Sequence, residues 1–200
     1  MFQMQKVKEN IFYLILFYCL SISINEALST PLYDTHINKL HNALIQNNSS
    51  KDERKERVKN LKRTLSGIFD NQKMIKMIYG SKWKALNQES KDELSDVFLD
   101  YMTYNYEKRF RKIDNLNFKF VDEDKLNENY VLVKTNLITS ENPVEISYIL
   151  EKKKGTWNII DILLIGSISE IATKKSEFMA IIEEGGPDGL ILAIKSKIIF

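Results

Sequence analysis

The sequence predicts an α+β fold: an antiparallel sheet of about four strands preceded and followed by helices. Three observations predict it. Apolar residues recur at three- and four-residue steps from Pro31 to about Lys112. The period then drops to two between Asn117 and Ile165. After the Gly166-Ser167 break, helical spacing returns to the end of the chain. Helices, then strands joined by short turns, then helices again form a segregated arrangement, not an alternating βαβ one.

The chain has 200 residues, enough for one domain with a real core, and a formal net charge of +2. So slight a charge argues against a nucleic-acid partner. Ahead of the domain, Lys6 and Lys8 precede the apolar run Ile11 to Leu20, which continues to Ile24. This is the n-region and h-region of a secretory signal, and the run falls short of the roughly 20 residues of a membrane span. We expect a cleaved signal peptide over residues 1–27, cut after Ala27 or else near Ser23, and a mature domain over 28–200. Cys19 is the one cysteine and lies inside the signal. Leu16-Phe17-Tyr18 before it lacks the small residue that lipoprotein processing needs. The mature chain is then free of thiols, which suits an oxidising compartment.

From Pro31 a helix carries Ile37, Leu40 and Leu44 on one side. His36 and His41, the only histidines, are expected on its exposed surface, and with Asp34 they make no convincing metal set. A charged helical segment follows from Lys51 to Arg63, with Val58, Leu61 and Leu65 on its apolar side. Asp70 is an N-cap for a short helix with Met74, Met77 and Ile78, which Gly80 stops. Asn87 caps the longest helix, whose stripe Leu94, Phe98, Tyr101, Met102, Tyr106 and Phe110 is large and aromatic. Tyr104, off that stripe, is expected to face solvent.

The strands are Asn117 to Val121, Tyr130 to Thr139, Val144 to Glu151, and Trp157 to Ile165. Short turns at Ser140 to Pro143 and Lys152 to Gly155 make the last three a meander. In the final strand Trp157, Ile159, Asp161, Leu163 and Ile165 fall on one face, and Ile160, Ile162 and Leu164 on the other. Both faces are apolar, which predicts a central position. Asp161 is the one carboxylate in this run, and it must be satisfied by hydrogen bonds or be functional. Two helices, Glu170 to Glu184 and Pro187 to Lys197, are separated by Gly185-Gly186.

Catalytic chemistry is sparse. There is no mature cysteine, no histidine in the sheet, no Gly-rich phosphate loop and no Gly-x-Ser-x-Gly elbow. Asp161 is the single candidate acid, without a second polar group to work with it. An apolar ligand enclosed between sheet and helices is the possibility this leaves open, and pattern alone does not separate a filled core from a lined cavity.

From about Leu65 to Lys197 the chain resembles the MlaC, or toluene-tolerance, family. The matching series is Phe69-Asp70, Gly80 and Trp83, then Phe98, Tyr106 and Phe110, then Trp157-Asn158-Ile159-Ile160-Asp161, Gly166, Ile168-Ser169, Phe178, Gly186 and Leu190-Ile191. The resemblance implies a twisted antiparallel sheet wrapped by N- and C-terminal helices, cystatin-like in shape, and a periplasmic carrier, not an enzyme, holding phospholipid acyl chains between sheet and helices. It also implies two partners, an inner-membrane ABC lipid transporter and an outer-membrane lipoprotein–porin complex, and a role in outer-membrane lipid asymmetry. No cofactor or metal is implied. The residues it makes candidates for lipid contact are Phe98, Tyr101, Met102 and Tyr106, then Val131, Val133, Ile146, Tyr148, Leu150, Trp157 and Ile159, and Ile171, Phe178 and Ile182. Which sheet face forms the pocket wall stays open. The hopanoid-associated branch of the family is the nearest alternative cargo, and an enzyme of related fold using Asp161 is the alternative from another class. The chain departs from the family pattern by one extra residue near Gly166-Ser167, by Lys174-Lys175 in place of a Tyr-Arg pair, and by Ser90 where Gln is frequent.

Overall fold

A computed structural model of the chain describes residues 32–139 and 142–198. The expected signal segment and the middle of the turn at Ser140 to Pro143 lie outside them. The described residues hold five α-helices and one five-stranded antiparallel sheet. Helix α1 (Asn38–Ser49) extends a π-helical turn at Tyr33–Ile37. It is followed by α2 (Arg54–Ile68), α3 (Asn71–Tyr79), a 3-10 segment (Gly80–Ala85) and α4 (Gln88–Phe110). The strands are β1 (Asn117–Lys125), β2 (Tyr130–Ile138), β3 (Val144–Lys153), β4 (Thr156–Leu164) and the two-residue β5 (Ile168–Ser169). Helix α5 (Glu170–Lys197) closes the chain.

The helix punctuation follows local chemistry. Asp70 Oδ1 accepts from Lys73 N at 2.9 Å, Asn87 Oδ1 from Ser90 N at 2.8 Å and Ser169 Oγ from Ala172 N at 2.9 Å. Each side chain takes up one of the donors that a helix start leaves unpaired. Gly80 ends α3 with φ 80°. Within α5 the two expected C-terminal helices meet at a kink, where Gly186 (φ 58°, ψ −148°) leaves helical geometry for a conformation open essentially to glycine.

The strands run in sequence order, β1-β2-β3-β4-β5. The count is five where about four strands were expected, because β5 is too short to carry a period. β4 is the penultimate strand, not a central one. Its outer side is covered in part by β5 and by a parallel bridge from Phe69 to Ile159, in which Asp70 N donates to Ile159 O at 3.0 Å. A bulge interrupts β4: Leu150 pairs with Ile159, whereas the next β3 residue back, Ile149, pairs with Asp161. The extra residue, Ile160, inverts the alternation beyond it. Ile159, Ile162 and Leu164 therefore share one face, contrary to the strict alternation expected from the sequence. A second bulge lies between Phe120 and Asp122 in β1.

The core lies between this face and the helices. Paired residues fall in rows across it: Val131, Leu150 and Ile159, then Val133, Tyr148 and Ile162, then Thr135, Ile146 and Leu164, with Leu137 beside Val144 at the far end. Helix α4 packs against the other four helices. It is buried well beyond one stripe, with Ser95, Val97, Leu99, Thr103 and Glu107 also inside. Being enclosed on several sides also corrects the expectation for Tyr104, which is 5% exposed. The Arg54 guanidinium lies over its ring at 5.5 Å and Lys108 Nζ at 5.6 Å. The Glu107 carboxylate, 4% exposed, is met by Arg54 at 3.2 Å and Arg57 at 3.0 Å. A buried carboxylate persists only with such partners.

Candidate functional site: an apolar cavity between helix and sheet

A cavity of about 380 Å³ separates α4 from one end of the sheet. Helix α4 forms one wall with Phe98, Tyr101, Met102, Asn105, Tyr106, Arg109 and Phe110, spaced at helical intervals. The opposite wall is the far end of the sheet: Leu137 of β2, Val144, Ile146 and Tyr148 of β3, and Ile162 and Leu164 of β4. Ile171 and Lys174 of α5, Glu170 at its start, Met74, Ile113 and Ile165 complete the lining. The cavity is open to solvent on one side. Its apolar residues are mostly buried, while Arg109 is exposed and Asn105, Glu170 and Lys174 are half-buried, so its polarity is concentrated at the mouth.

The interior is electrically silent. Burial holds the Tyr106 hydroxyl well above its ordinary pKa and raises that of Tyr148, so both are neutral phenols. His41 lies behind the Tyr148 wall. Its ring stacks on Phe118 with centroids 3.9 Å apart, and its Nε2 is 2.9 Å from the Tyr148 hydroxyl. Burial pushes its pKa down to about 3, so it too is uncharged. This corrects the expected solvent-facing histidine: His41 follows Leu40 on α1, and that side of the helix packs on β1. At the mouth, Lys174 Nζ is 2.6 Å from the Glu177 carboxylate and lies over the Tyr101 ring at 5.6 Å.

Of the residues expected to contact lipid, the cavity brings together Phe98, Tyr101, Met102, Tyr106, Ile146, Tyr148 and Ile171. Val131, Leu150 and Ile159 share the sheet face but form its row toward the other end, and Val133, in the row of Tyr148 and Ile162, is fully buried without lining the cavity. Phe178 and Ile182 fill the contact of α5 with the helices, Phe178 meeting Tyr101 edge-on at 6.4 Å. Trp157 is half-buried at the remote end of β4 under Lys152. Residues not anticipated include Phe110, Leu137, Val144, Ile162 and Leu164. Phe110 and Leu137 carried the right periodicity; Ile162 and Leu164 were hidden by the bulge.

Asp161 does not line the cavity. Its Oδ1 accepts from Ile162 N at 2.7 Å and Ile171 N at 3.2 Å, and its Oδ2 from Ser169 Oγ at 2.6 Å. It ties β4 to the start of α5, where a carboxylate complements the helix dipole. Among the described residues no three His, Cys, Asp or Glu side chains gather as a metal site requires, and no helix is long and apolar enough to cross a membrane.

An open-mouthed cavity, apolar inside and polar at its rim, within an α+β domain defines the class of small binding protein that encloses an apolar ligand. The chain belongs to the MlaC protein family, whose model matches residues 34–196. Among solved structures, it is similar to a phospholipid-binding protein from Ralstonia solanacearum, determined in complex with a phospholipid. The TM-score is 0.70 at 18% identity, over 80% of this chain and 93% of that one, which shows a shared fold. A search of curated proteins finds no significant match.

Proposed function

We propose that this protein is a periplasmic phospholipid carrier, exported with cleavage of residues 1–27, that shuttles lipid between the outer and inner membranes and so maintains outer-membrane asymmetry. The observation that carries the reading is the cavity: about 380 Å³, apolar within, uncharged, and open at a mouth where the polar residues gather. Its size lies within the roughly 300–1,000 Å³ of small-molecule sites. An acyl chain in water loses about 0.8 kcal/mol for each exposed methylene, and this enclosure removes methylenes from water without supplying any group that would react with them. Family membership and the phospholipid bound by the Ralstonia protein support the same reading. The candidate contact residues are those that line the cavity, Phe98, Tyr101, Met102, Tyr106, Ile146, Tyr148 and Ile171 foremost.

A carrier, not an enzyme, fits the position of Asp161, whose carboxylate is taken up by Ile162 N beside it in β4 and by Ser169 Oγ and Ile171 N at the start of α5. Energy for directional transport would come from a partner, an inner-membrane ABC transporter complex, with an outer-membrane lipoprotein–porin complex as the other station. The experiment is mass spectrometry of the organic extract of the purified mature protein. Phospholipid at near-stoichiometric amount is expected. A lipid-free extract from protein that also takes up none from vesicles would overturn the reading, and a hopanoid-type lipid would change its cargo.

A further inference from the structure

The turn between β4 and β5 is at odds with its own sequence. Ser167 N donates to Leu164 O at 3.3 Å, closing a four-residue turn whose central residues, Ile165 and Gly166, have φ of 51° and 78°. Positive φ at both central positions is the primed turn geometry, which favours Asn or Gly at the first of them. Among the described residues three non-glycine residues adopt positive φ: Asn115, Lys154 and Ile165. Asn tolerates the conformation and Lys is unbranched, whereas for a β-branched side chain it is a true outlier.

The side chain gains little where it points. Ile165 is 73% exposed, so most of its apolar surface meets water, yet it also lines the cavity. The turn is held in place from below, with Ile165 N donating to Glu145 O at 3.0 Å. An apolar branched side chain is thus both strained and wetted. Strain of this kind persists at sites where it serves function.

We propose that Ile165 is the lip of the cavity, a retention residue that covers the part of a bound acyl chain nearest the mouth and so slows its escape. This rests on the lipid-carrier reading. Without cargo the side chain faces water; with cargo it buries its own exposed surface and some of the chain's. The strained turn fixes it at the edge of the opening, where a residue on the sheet proper would lie inside it.

The test loads the full-length mature protein with a fluorescent phosphatidylethanolamine and follows transfer to phosphatidylcholine vesicles. It compares wild type, Ile165→Gly, Ile165→Asn and the control Leu192→Asn, which alters an exposed apolar residue outside the cavity lining. Both Ile165 variants should release lipid faster, by about fourfold for each methylene left uncovered. Ile165→Asn should also melt about 2–4 °C higher, since Asn accepts the positive φ. The control should transfer at the wild-type rate. Unchanged or slower release from the Ile165 variants would overturn the lip while leaving the carrier intact. Wild-type protein that takes up no lipid would instead remove the carrier reading, and the lip with it.

Discussion

Two single residues carry testable consequences of burial. His41 is 1% exposed and its pKa is pushed from 6.5 down to about 3, so folding excludes a proton that the unfolded chain binds. Its contribution is fully present above pH 6.5 and is lost as the pH falls toward 3. At pH 4.5 this lowers stability by about 2–3 kcal/mol relative to neutral pH. His41→Gln, which keeps a partner for the Tyr148 hydroxyl but does not titrate, should lose correspondingly less between pH 7 and 4.5 in urea unfolding. Asp161 offers the second case. Its carboxylate accepts three hydrogen bonds, one from Ile162 N within β4 and two, from Ser169 Oγ and Ile171 N, that join β4 to the start of α5. Asp161→Ala should cost roughly 2–4 kcal/mol by leaving those donors unpaired. The folded fraction of that variant should still carry lipid, and a normal lipid load with unaltered stability would show that the network contributes nothing.

At the scale of elements, the informative features are the interruptions. The β4 bulge lets one strand present Ile159 to the core and Ile162 and Leu164 to the cavity, while Asp161 turns the other way to reach Ile171 N. The kink at Gly186 separates the two helical halves of α5. A Cβ there would meet nothing within 4 Å, so space is not the constraint; φ 58° with ψ −148° is. Gly186→Ala should therefore destabilise by about 1–3 kcal/mol, read as a lower thermal midpoint, with no steric relief available from neighbours. A neutral result would mean that the second half of α5 can swing to accommodate an ordinary helical residue.

For the whole molecule, the proposed carrier function depends on α4 being surrounded by helices on its other sides and held away from one end of the sheet. Met102 lies in the α4 wall of the gap, and its flexible thioether can be exchanged for a larger group more readily than a branched core residue. Met102→Trp should reduce copurified and vesicle-derived lipid several-fold while the protein stays folded by circular dichroism. Val133 provides the contrast: it shares the sheet face and is fully buried but does not line the cavity, so Val133→Ala should cost stability and leave lipid content in place. Equal lipid loss from both would show that the cavity is not where the cargo sits.

Much of this was legible in the chain. The switch of period near Asn117, the caps at Asp70 and Asn87, the glycine break before Pro187 and the stripe Phe98, Tyr101, Met102 and Tyr106 are local signals, written within a few residues of where they act. Local propensity and amphipathic spacing need no knowledge of the rest of the fold. The family series was legible for a related reason, since its residues recur in a fixed order along the chain.

Tertiary structure decided the rest. Periodicity names a face but not a position along it, so nothing in the sequence separates Leu150 and Ile159, packed in core, from Ile146 and Leu164, facing the cavity. That division depends on how far α4 stands from each end of the sheet. A bulge of one residue leaves composition unchanged and inverts every side chain beyond it, which hid Ile162 and Leu164. His41 and Tyr104 were misplaced because burial depends on what covers a helix from outside, β1 in one case and the Arg54 side chain in the other. The sequence by itself determined the elements and the stripe of one wall; only the packing of distant elements determined that a gap remains there, because a cavity is the absence of contacts and no local pattern encodes an absence.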